Sequence, residues 1–452
     1  MRWTHRERTV FETFHLVVVG FSVLTLHCAL AAEGRAVASI GPVDNGIIIN
    51  PQSSYGFLGN GFLGRALGLD ESTGLRLGGF LIPEFDWVAS GGVKPGASFG
   101  SGALGLNVSV DTEKILEIPG GTLGIELLAA SNGAGLNEAA GSVQRYTNLE
   151  AGEPNDRVEI MQLWWRQHLF DNKLIIQLGK MNGAGIFNTV MNPVIVNEPQ
   201  MRDAPINISN LIYVPVGLNP TLFGRLPAYP ETAYGAVATF APTTNFYVSA
   251  GIFDGNGAIG WQTGWKTSPK FNDYTFGIGE AGYSWRLGTL GMPGRLGVGA
   301  WRQTGDLYTP TMSVENGANG YYAFANQRLW YQRPNVDSSG LVGYLQYGHT
   351  GSHAAPVNTY YGAGLTAAGL VPGRSQDTVS FGVAQSELNT SMGFAPSELM
   401  FQTAYTANFT IGPPANYWTF TAIAAFTYIP EPGLSPDLPG ASVVSLRLVT
   451  LF

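Results

Sequence analysis

Gln162, Trp164, Arg166 and His168 fall at every second position of one segment. Alternate side chains of a strand point to opposite faces, so these four share a face. A turn at Asp171 and Asn172 follows, two residue types that tolerate the positive φ of a tight hairpin. Beyond it, Gln177 falls opposite Arg166 on the same face. The set supplies donors, acceptors, a permanent cation and a flat indole. Such groups hold polar molecules by hydrogen bonds and ring contact, or keep a wall wet. The other face is apolar: Met161, Leu163, Trp165 and Leu169, then Leu174, Ile176 and Leu178, with Gln167 as the exception. Leu169 falls opposite Leu174, and Trp165 opposite Leu178. A hairpin wet on one face and oily on the other fits half a soluble sandwich or the wall of a water-filled barrel.

Catalytic patterns are present but stand in the wrong context. Residues 96–100, GASFG, match GxSxG, yet they precede a strand instead of forming a strand-to-helix elbow. Residues 59–64 and 100–105 match GxGxxG outside any strand–helix–strand unit, and a chain with 60 glycines produces such matches by chance. His168, His349 and His353 are the only histidines after residue 31. His349 and His353 lack a convincing third ligand, so no metal and no cofactor are expected. An enzyme is not expected either. A hydrolytic barrel would need a nucleophile or acid pair beside a rim histidine, and His168 lies near a short turn instead.

The elements that position these residues are strands. Residues 1–31 read as a signal peptide: Arg2, Arg6 and Arg8 precede an apolar run at 16–26 too short to span a bilayer, and small residues end it. Cys28 is the only cysteine, preceded by His27, a poor lipoprotein context, so the processed chain has no thiol chemistry. Charged residues make up 12 % of the chain, against about 25 % in soluble proteins. The net charge of −8 argues against nucleic acid. Low charge without a membrane-length apolar run fits a membrane β-barrel, which signals itself by alternation.

Residues 32–73 are rich in glycine and proline, with a short helix expected at 61–70, and read as a periplasmic segment. The barrel is expected over 74–452. Its sixteen strands fall near 74–89, 98–113, 121–131, 158–170, 173–181, 232–241, 246–253, 274–285, 294–303, 320–333, 339–350, 359–368, 377–386, 398–411, 417–428 and 441–452. Every second connection is short. The others tend to be long: 132–157, 182–231, 254–273, 304–319 and 429–440. Outer-membrane barrels sort short periplasmic turns from long outer loops in this way. The last strand alternates and ends on Phe452, like the segment that barrel assembly machinery reads. The fold class is therefore an all-β, transmembrane antiparallel barrel of about sixteen strands. Loop 182–231 is long, apolar and proline-rich, which favours folding into the lumen as a constriction with Asn197, Glu198, Arg202 and Asp203 near the passage.

Several stretches resemble the carbohydrate-selective porin (OprB) family. They are QLWWRQHLFDNKLIIQLGKM at 162–181, VDTEKILEIPGG at 110–121, LFGRLPAYPETAYG at 222–235 and FYVSAGIFDGNG at 246–257. Asn326-Gln327, Pro432-Gly433 and the final strand also match, in family order. Two positions depart from the family's pattern. Gln402 stands four after Glu398 where a second acid is usual, and a Gln-Pro pair is lost within 421–425. The resemblance implies a sixteen-stranded barrel in the Gram-negative outer membrane that passes small sugars such as monosaccharides. The expected lining is Arg76, Glu84, Asp86, Glu126, Gln162, Trp164, Arg166, His168 and Gln177. Acids and amides bond sugar hydroxyls, an indole covers the apolar ring face, and mixed charge avoids an ion-selecting field. A general diffusion porin is the alternative. Outer-membrane lipid and the assembly machinery are the other expected partners.

Overall fold

The computed structural model describes residues 61–69, 72–131, 133, 135–150, 156–190, 210–243, 245–259, 269–334, 336–337, 339–412 and 418–452. The expected signal peptide and 32–60 lie outside these. A short helix, Phe62–Ala66, stands in the segment expected to hold one. Sixteen strands form among the described residues: β1 (Leu75–Ser90), β2 (Ser98–Asp111), β3 (Gly121–Ser131), β4 (Asp156–Leu169), β5 (Leu174–Met181), β6 (Ala233–Phe240), β7 (Phe246–Asp254) and β8 (Thr275–Leu287). Then come β9 (Met292–Tyr308), β10 (Val314–Tyr331), β11 (Gly340–Thr350), β12 (Val357–Ala368), β13 (Thr378–Leu388), β14 (Ser397–Ile411), β15 (Trp418–Ile429) and β16 (Ala441–Leu451). Each pairs with its neighbours in sequence, and β1 closes on β16 to complete the barrel. All the pairings are antiparallel; at the closing seam Glu84 lies opposite Arg447 and Trp87 opposite Val444. Closure matters because a strand edge left open in lipid would hold backbone N–H and C=O groups with no partner.

The faces follow the alternation. Phe85, Trp87, Leu163, Leu178, Leu345, Phe426 and Leu446 are exposed on the outside, while Glu84, Asp86, Glu126, Gln162, Glu398, Gln402 and Arg447 are buried within. Glycine has a visible use on the inner wall. Phe80 lies opposite Gly105, Trp164 opposite Gly124, and Tyr322 opposite Gly299. A Cβ at these glycines would come within 2.2, 2.5 and 2.3 Å of the facing ring. Each ring therefore lies flat across the neighbouring strand, thinning the lining where a tall side chain would block the lumen.

The opening hairpin keeps its expected register, with Arg166 opposite Gln177 and Leu169 opposite Leu174. Phe170, Asp171 and Asn172 all take positive φ, of 54°, 54° and 66°, so the ladder ends at Leu169. Two expectations are corrected. Met161 is not on the apolar outer face; it is buried inside. Glu126 pairs with Gln162 but Leu127 pairs with Ile160, so Met161 is the extra residue of a bulge. Beyond a bulge the facing parity reverses, which turns Glu159 and Arg157 inward as well. The expected long loop at 304–319 is the second correction. β9 and β10 run on and pair as far as Tyr308 with Val314. Gly317, at φ 74°, absorbs a register shift between Asn316 and Ala318. A run that reads as loop is thus a bulged strand.

Candidate functional site

Two loops are hydrogen-bonded to the inner wall. The first joins β3 to β4 and carries a short helix, Leu136–Ala140. The second joins β5 to β6, and its described parts, 182–190 and 210–232, are bonded to the inner wall. Asn188 donates its backbone N–H to Glu280 (2.7 Å), and Asn326 donates its amide to the carbonyl of Val190 (2.9 Å). On the neighbouring strand β11, Asn219 donates to the carbonyl of Tyr347 (2.9 Å), and the hydroxyls of Tyr213 and Tyr344 lie 2.5 Å apart. Glu280 also accepts from the hydroxyls of Tyr247 and Tyr322, each at 2.7 Å. The described parts of this loop are thus held by inward-facing wall residues. Asn197, Glu198, Arg202 and Asp203 lie outside the described residues. The first loop was not expected inside: its sequence has no periodicity to read, and only the wall groups that hold it disclose its path.

The wall residues singled out from sequence fall into three groups. Glu84 is paired with Arg447 and accepts from the hydroxyl of Thr147 in the first loop; Asp86, next on the same face, accepts from Ser445. Glu126 accepts from the amide of Gln162 at 2.5 Å, and Gln162 in turn accepts the backbone N–H of Asn182 at 3.2 Å, where the second loop begins. Trp164, Arg166 and Gln177 form the third group. The Arg166 guanidinium lies 4.5 Å from the centre of the Trp164 ring and donates to Gln177 Oε1 through Nε (3.2 Å) and Nη2 (3.1 Å). Trp164 is only 2 % exposed, pressed between Arg166 and Gly124. Arg166, by contrast, is only half-buried.

Two more residues stand apart from these groups. Arg76 lies on the inward face at the start of β1 and is half-buried. His168 sits by the hairpin turn, its Nδ1 2.9 Å from Asn172 Oδ1.

Sequence reasoning missed residues that hold the loops. Glu398 on β14 accepts from Ser142 Oγ (2.8 Å) and from the backbone N–H groups of Val143 (2.8 Å), Gln144 (3.1 Å) and Gly433 (2.8 Å). Gln402, on the same inward face, reaches both loops. Arg447 was legible in principle: Leu446 and Leu448 face out, so the residue between them faces in. Arg157 and Glu159, with charged atoms 3.6 Å apart, were hidden by the bulge.

These groups make a polar, water-compatible wall with buried acids already bonded, a cation at Arg166 and a passage shaped by loops. Comparison with known proteins agrees with a channel. The model of the carbohydrate-selective porin, OprB family matches residues 99–416. The high-pH structure of Pseudomonas putida OprB superimposes with a TM-score of 0.70 at 17 % identity, covering 84 % of this chain and 94 % of that one. The low-pH structure of the same protein gives 0.51 at 15 % identity, over 84 % and 93 %. At these identities the likeness is one of fold. Comparison with curated proteins finds no match.

Proposed function

The chain belongs to the carbohydrate-selective porin, OprB family, and on that premise we propose that it is a passive outer-membrane channel for small sugars such as monosaccharides. The observation that carries this reading is the lumen: a closed sixteen-stranded wall, polar within, with two loops hydrogen-bonded to it. A sugar must exchange its hydration for wall groups as it passes. Arg166 with Gln177 supplies hydroxyl partners, and the buried acids, already bonded, hold the wall and loops in place. We further read residues 1–31 as a signal peptide, 32–73 as a periplasmic segment and 74–452 as the barrel. Its apolar outer face meets lipid, and its C-terminal strand is the segment presented to the assembly machinery.

The test is swelling of liposomes that carry the pure protein. Glucose-sized sugars should enter faster than amino acids of equal size. Equal rates would leave a general diffusion porin and remove the claim of sugar selectivity.

A further inference from the structure

Two loops that leave the wall at different strands converge on β14. Gln402 uses all four hydrogen-bonding positions of its amide. Its Oε1 accepts the backbone N–H groups of Ile212 (2.7 Å) and Tyr213 (3.1 Å) in the second loop. Its Nε2 donates to the carbonyl of Tyr146 (3.0 Å) in the first loop and to Thr427 Oγ1 (2.8 Å) on β15. Glu398 secures the first loop just beside it. The loops also bond each other: Asn148 donates its N–H to the carbonyl of Ile212 (2.9 Å), and Val214 donates to the carbonyl of Arg145 (3.1 Å).

Arg145 stands at that seam. Its φ of 69° is a left-handed conformation that a residue with a Cβ keeps only where its surroundings impose it. They do so here. Its N–H donates to Ser142 Oγ (3.0 Å), whose hydroxyl donates to Glu398, and its carbonyl is held by Val214. Its neighbours Gln144 and Tyr146 are buried, yet Arg145 itself is exposed. Its guanidinium lies 6.0 Å from the ring centre of Phe223, a residue of the second loop.

We propose that Gln402 is a positioning residue for sugar selection: it holds the two loops in one register, and that register presents Arg145 over Phe223 to the passing molecule. The proposal rests on the reading of the barrel as a sugar channel. A guanidinium fork donates to adjacent hydroxyls, and a phenyl face covers the apolar side of a sugar ring. The amide bridges the loops by accepting from one and donating to the other. An ionised carboxylate at 402 keeps the acceptor for Ile212 and Tyr213 but meets the Tyr146 carbonyl with no hydrogen to offer. A thioether supplies neither.

Single-channel recording in planar bilayers, with glucose blocking the ion current, tests this. The variants are Gln402→Glu and Gln402→Met, each alone and together with Asn148→Cys and Ile212→Cys, whose backbones are already bonded across the seam. Heat-modified gel mobility reports that the barrel is folded, and Gln402→Glu, nearly the same shape, serves where the Met variant does not fold. Both substitutions should weaken glucose block about fivefold or more, the scale of losing a buried hydrogen-bond partner. Forming the disulfide should restore the block, and reducing it should remove the block again. Unchanged block in the folded variants overturns the proposal. So does weakened block that the disulfide fails to restore, since the amide would then act by itself and not through loop register. A parent channel that glucose never blocks removes the sugar-channel reading, and this proposal with it.

Discussion

If Arg166 meets the sugar and Trp164 supports Arg166, truncating the two residues cannot have independent effects. The guanidinium sits 4.5 Å above the indole centre, and the indole is buried beneath it. A cation–π contact shielded from water is worth about 1–2 kcal/mol. Trp164→Ala removes that support and frees the guanidinium from its fork on Gln177. Arg166→Ala removes the donor itself. Each should weaken glucose block of the ion current by about 1 kcal/mol, or roughly fivefold. The double variant should weaken it by about the same fivefold, not by the roughly twenty-fivefold of independent sites, because a support with nothing to support contributes nothing. Single-channel recordings of the parent, both single variants and the double variant give the cycle directly. Ion conductance in the same records reports widening of the pore. Additive losses would refute the support role, and unchanged block in both single variants would remove the pair from the site.

Two further outcomes are expected. Leu178, 48 % exposed on the outer face, should tolerate no charge there: Leu178→Arg should cost up to about 2–4 kcal/mol in folding into lipid vesicles, and a neutral result would mean the two faces of the wall are reversed. Glu150 in the first loop is pushed up to about 7, chiefly by burial and further by the charge of Glu138, against the pull of the Asn137 N–H. The folded loop therefore binds a proton more readily than the unfolded one between the ordinary carboxylate value of about 4.3 and about 7, so its stability falls as pH rises through that window. Hydrogen exchange of 136–150, corrected for intrinsic rates, should show stronger protection at pH 5 than at pH 8, and Glu150→Gln should abolish the difference. Protection that ignores pH in the parent would contradict this.

The wall was readable from the chain because its rule is local. A strand alternates with period two, and a hairpin register needs only a turn, so the pairing of Arg166 with Gln177 follows from residues eleven apart. The sorting of short turns from long loops likewise needs no knowledge of contacts. Local rules failed where one residue broke the count. Met161 in its bulge reversed the facing of Arg157 and Glu159, and Gly317 disguised paired strand as loop.

What only the tertiary structure decided is which inward groups meet. Alternation turns Glu84 and Arg447 to the same lumen, but they pair only because closure sets β1 beside β16. Glu398 and Gln402 read as ordinary lining until the folded loops bring the backbone N–H groups of Val143, Gln144, Ile212 and Tyr213 to them. A loop has no period, and its path is chosen by the bonds its backbone must find once water is excluded. Those partners sit on strands far away in sequence, so the route of the loops, and the place of Arg145 between them, exists only after the barrel has closed.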